Sequence, residues 1–65
     1  MIALITFKGI LGVTHSVPTP AFVDFYVHTD YKEDVEWGIE LLSGSRIRVT
    51  EEVWEITKNY WSQVA

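Results

Sequence analysis

Asp24, Tyr26, His28 and Asp30 stand at alternate positions of one segment, so an extended backbone projects all four from one face at intervals of about 6.6–7 Å. An imidazole between two carboxylates offers ligands for a divalent cation and a base for proton transfer. The same spacing is that of a solvated outer strand, and this plainer reading is preferred. No two histidines lie at i, i+4, and His15 can join the group only through folding. Thr14-His15-Ser16 sets hydroxyls beside an imidazole, yet neighbouring side chains diverge, and no G-x-S-x-G turn presents a nucleophile. Glycines 9, 12, 38 and 44 match neither phosphate-loop spacing and read as bends. The expectation is a non-enzymatic chain with no catalytic, cofactor-binding or metal-binding residue.

Those residues must be carried by a single small domain spanning 1–65. At this length folding buries only about 60% of the unfolded surface. There is no cysteine to supply a disulfide or a thiolate metal site. A hydrophobic content of 48% with three each of Phe, Tyr and Trp is nevertheless enough for a packed core. The net charge of −4 lies wholly beyond Thr29, because Lys8 and Asp24 cancel before it. An acidic balance repels phosphate backbones and makes nucleic acid an unfavoured partner. Lys8 and Gly9 break the apolar start of the chain and nothing basic precedes it, so it fits neither a signal peptide nor a membrane span. A cytoplasmic protein is expected.

The pattern predicts an α+β fold: a small curled antiparallel sheet or open barrel, in the order β-β-β-β, packed against one C-terminal amphipathic helix. The first strand covers residues 2–7, with Ala3, Ile5 and Phe7 on one face and Ile2 and Leu4 on the other, so both faces seek cover. Gly9 and Gly12 bend it toward residues 10–13. The proline-bearing segment 14–20 reads as a stiff connector. In residues 21–29, Val23, Phe25 and Val27 oppose Phe22, Asp24, Tyr26 and His28. Strict alternation in residues 35–41 and 46–49 gives a hairpin closed by Ser43-Gly44-Ser45, with Leu41 facing Ile47, Ile39 facing Val49 and Glu40 facing Arg48. Thr50 caps a helix over about 51–64, with Glu51 and Glu52 in its first turn and Val49 stapled to Trp54. Val53, Ile56, Thr57, Tyr60 and Val64 form its apolar stripe, and Trp54 and Trp61 extend the stripe past the core.

The aromatic excess and the double-faced first strand exceed what so short a chain can cover. Self-association, as a dimer, together with binding of another protein accounts for both. The candidate partner-binding residues are Phe22, Tyr26, Trp54, Trp61, Ile2 and Leu4. A regulator or inhibitor of a larger protein fits this size class, including accessory proteins carried by phage or mobile elements. The alternative is a nucleic-acid-binding small β-barrel that stacks bases on Phe22 and Tyr26 beside Arg46 and Arg48. The run from Ile39 to Glu52, an I-x-L strand, a glycine turn, a V-x-E step and a helix, resembles the ending of short flagellar and swarming-motility accessory proteins. It covers under half of the chain and no function is carried over from it.

Overall fold

The computed structural model describes residues 3–64. Five strands precede one helix: β1 Leu4–Lys8, β2 Thr14–Pro18, β3 Phe22–Thr29, β4 Val35–Leu41, β5 Arg46–Val49 and α1 Glu51–Val64, with a one-turn 3-10 helix over Thr19–Ala21. β1 and β2 make a two-stranded antiparallel sheet, and β3-β4-β5 make a three-stranded meander. The arrangement is α+β, and among the described residues the strands form two sheets and no closed barrel. Ile2 lies outside the described residues.

Segment 14–18 is therefore a strand, where a connector was expected. The restriction that Pro18 imposes on Val17 is itself extended, and Pro18 ends the strand opposite Leu4, where its missing N–H is tolerated. The Gly9 amide donates to the Val13 carbonyl (2.8 Å), and Gly12 adopts φ 89° in the reversal between β1 and β2. One backbone hydrogen bond joins the two sheets, Ile10 N–H to Arg48 O (2.8 Å), while Thr19 N–H to Ala3 O (3.0 Å) prolongs the β1–β2 pairing and Leu42 N–H to Ala21 O (2.8 Å) prolongs that of β3 with β4.

The β4–β5 hairpin keeps the expected faces in a different register. Ile39 pairs with Ile47, Trp37 with Val49 and Glu40 with Arg46. The Leu41 amide donates to Ser45 O (2.9 Å), so the three-residue loop is Leu42-Ser43-Gly44, one position earlier than expected. Gly44 then takes the left-handed position at φ 90°, which a glycine accepts without strain. Moving the loop by one residue moves the pairing by two, which preserves the inside and the outside.

β3 departs from strict alternation. A bulge between Phe22 and Asp24 admits an extra residue at Val23. Phe22 consequently shares the core with Phe25, their rings stacked at 5.5 Å, and not the outer face with Tyr26.

Ile5, Phe7, Val17, Phe22, Ile39, Val49 and Trp54 form the core, joined by a run of aromatic contacts from Phe7 through Phe22 and Phe25 to Trp54 and Trp37. The Thr50 hydroxyl accepts the Val53 amide (3.3 Å), which is the expected helix cap, and Val49 and Trp54 are both buried beside it. The helix is rotated from the expected stripe. Trp54 and Thr57 are buried, whereas Ile56 is 61% and Tyr60 47% exposed. Each indole offers a larger apolar surface than isoleucine, and each finds an acceptor inside the fold: Trp54 Nε1–H bonds Gly38 O and Trp61 Nε1–H bonds Thr19 O, both at 3.1 Å.

Candidate functional site

The three-stranded sheet carries a continuous polar outer face. Asp24, Glu40 and Arg46 lie in one row, Tyr26, Gly38 and Arg48 in the next, and His28 and Glu36 in the last. Side-chain alternation on each strand puts every one of these on the face opposite Phe25, Ile39 and Ile47. They line a shallow depression of about 580 Å³.

Arg46 Nε pairs with Glu40 Oε1 at 3.2 Å and Arg48 Nε with Glu36 Oε1 at 3.5 Å. Tyr26 donates its hydroxyl to Glu36 Oε2 (3.3 Å), so Glu36 serves a phenol and a guanidinium together. The Tyr26 ring lies over Gly38, where a Cβ would collide with it. Glycine here removes the obstacle, and the aromatic ring covers the bare backbone. Burial first, and then the Glu36 carboxylate, push the Tyr26 phenol above its ordinary pKa, because both disfavour the phenolate.

Both guanidiniums are thus engaged by carboxylates of the same face, and Asp24 adds a third acid. A phosphate approaching Arg46 or Arg48 would meet the charge of Glu40 or Glu36 beside the guanidinium and be repelled by it. Phe22, the other aromatic expected in a base-stacking platform, is 7% exposed and lies in the core. Tyr26, Arg46 and Arg48 do come together.

The metal-binding grouping comes apart. Asp30 sits beyond the strand, where its Oδ1 accepts the amides of Lys32 (2.8 Å) and Asp34 (3.0 Å) and so organises the β3–β4 turn. Among the described residues no three His, Asp or Glu side chains converge as metal ligands. His15 and Ser16 point to opposite faces of β2: the imidazole stacks on Phe7 at 5.5 Å, and the Ser16 hydroxyl bonds that of Thr6 at 3.0 Å. They cannot act as a nucleophile and its base.

The candidate partner-binding residues divide. Phe22 and Trp54 are core side chains and are unavailable as contact surface in this fold. Trp61 is partly buried against Phe25, Tyr26 is partly buried on the outer face, and Leu4 is 63% exposed. Leu4 lines a depression with Ile56 and Tyr60, two exposed residues that the helical stripe assigned to the core. Only the rotation of the helix reveals them. Sequence reading also passed over the reversal between β1 and β2, where Ile10, Leu11 and Val13 stand exposed beside Ile47. Among the described residues no helix is long and apolar enough to cross a membrane.

No family model matches this chain, and no curated protein or solved structure matches it either.

Proposed function

We propose that this chain is a non-enzymatic protein-interaction module that self-associates and acts by binding another protein. The supporting observation is that the core closes while large apolar side chains remain grouped in solvent, among them Ile10, Leu11 and Val13 at the β1–β2 reversal. Leu4, Ile56 and Tyr60 are exposed along β1 and α1, and Val23 and Val27 beside the outer edge of β3. Scattered single apolar residues are ordinary on a protein surface, but grouped ones are characteristic of contact surfaces. Sedimentation equilibrium across a concentration series tests the reading. An apparent mass that climbs from the 7.5 kDa of one chain toward twice that value is expected, and a mass fixed at 7.5 kDa to high concentration overturns it.

The nucleic-acid reading stands second, on the gathering of Tyr26, Arg46 and Arg48 on one face. The paired Glu36 and Glu40 carboxylates weigh against it. Titration of labelled single-stranded DNA and RNA at low salt decides between the two, since micromolar binding that weakens with salt would favour the second.

A further inference from the structure

β3 is the longest strand of the fold, and one of its edges is bare. β4 covers one side, and among the described residues no backbone hydrogen bond reaches β3 from the other. Alternation determines which residues serve that edge. The Leu41 amide donates to Ser45, and the Arg48 carbonyl accepts from Ile10 on the far side of β5. Leu41, Ile39 and Trp37 therefore turn their backbone groups toward β5, and Glu40, Gly38 and Glu36 turn theirs toward β3. The β3 partners of the latter, Asp24, Tyr26 and His28, bond inward. Phe25 and Val27 are left presenting N–H and C=O to the open edge. Exposed edges are ordinarily protected by lysine, proline or a bulge. Residues 24–29 contain no Lys, Arg or Pro, and the one bulge lies before them. The Tyr26 ring leans toward Gly38 on β4 and leaves the edge clear.

We infer that this edge pairs antiparallel with the same edge of a second copy, about a two-fold axis at Tyr26, joining two meanders into one six-stranded sheet. The inference rests on the self-association proposed above and names its surface. Hydrogen bonding restricts the register to those in which Phe25 and Val27 meet odd-numbered residues. Centring on Tyr26 places Phe25 opposite Val27 of the second copy, and it covers Val27, which is 46% exposed. It also places Asp24 opposite His28 of the second copy, twice by symmetry, so that each carboxylate meets an imidazole. The neighbouring registers lose this match. A centre on Phe25 sets Asp24 against Tyr26, and a centre on Val27 sets Asp24 against Asp30, a like-charge pair.

Sedimentation equilibrium on the full chain and its variants, at a mildly acidic pH where imidazoles generally carry a proton, provides the test. Asp24→Lys and His28→Asp each put like charges in opposition, and each alone should weaken dimerisation at least about ten-fold. Mixed together they restore both opposite-charge pairs, and the heterodimer should form within about three-fold of the wild-type affinity. Val27→Pro removes an amide that does not serve the β3–β4 ladder, so it should abolish dimerisation while circular dichroism and the thermal melt still report a folded chain. A wild-type dimer whose affinity is unchanged by a folded Val27→Pro variant overturns the edge and leaves self-association standing. A mixture that associates no better than either charge variant alone overturns it equally, and that experiment decides if Val27→Pro does not fold. A wild-type chain that stays monomeric overturns this inference and the self-association reading together.

Discussion

Replacing Trp54 separates a core tryptophan from an interface tryptophan. The side chain is 9% exposed, its indole edge meets Trp37 at 5.0 Å and Phe25 at 6.3 Å between centroids, and its N–H reaches Gly38 O at 3.1 Å. Lys58 Nζ sits 4.7 Å from the ring centroid on the solvent side. Trp54→Phe keeps an aromatic ring but loses the buried hydrogen bond and part of the packed area, which together amount to about 1–2 kcal/mol. Trp54→Ala loses about 3–5 kcal/mol. A domain of this size has roughly 3–10 kcal/mol in all, so the alanine change should remove from about a third to all of its stability. The phenylalanine variant should remain folded with a melting temperature about 5–15 °C lower. Thermal and urea melts followed by circular dichroism measure both, at one fixed protein concentration because association itself adds stability. A Trp54→Phe variant within about 0.5 kcal/mol of wild type, but with altered self-association, would refute the placement of Trp54 in the core.

Gly38→Ala should destabilise the fold by about 1–3 kcal/mol, because the new methyl meets the Tyr26 ring; a double variant with Tyr26→Ala should recover part of that loss, and additive urea midpoints would refute the contact. Thr50→Ala should remove about 0.5–2 kcal/mol by leaving the Val53 amide without its cap, a loss seen in the thermal melt and largely spared in Thr50→Ser. The raised Tyr26 pKa means that the folded chain keeps its phenolic proton to higher pH than the unfolded chain, whose ordinary value is 10.0. The stability that this contributes is complete below pH 10.0 and is lost as pH rises through the folded value. Urea midpoints should therefore fall more steeply above pH 10.0 for wild type than for Tyr26→Phe.

Local chemistry made much of this molecule legible before any tertiary contact was considered. The Thr50 cap, the acids of the first helical turn and the following periodicity define α1, because they depend on residues within a few positions of one another. Alternation in residues 35–41 and 46–49 likewise assigns Ile39 inward and Glu40 outward, whichever of the two three-residue loops closes the hairpin. The absence of cysteine excluded a disulfide framework without recourse to the fold.

What remained depended on partners distant in the chain. A single bulge at Val23, set by how β3 meets β4, moved Phe22 from the outer face into the core. The rotation of α1 was decided by where its indoles found acceptors, at Gly38 and Thr19, and that choice left Ile56 and Tyr60 in solvent. The pairing of both outer-face arginines with glutamates came from the register between strands, which no spacing along one strand encodes. The sequence by itself determined that residues 35–41 and 46–49 are strands with one polar face and where the helix starts, but not that residues 14–18 are a strand. Tertiary structure decided which apolar residues are spared from the core, because a side chain is buried only when another element arrives to cover it.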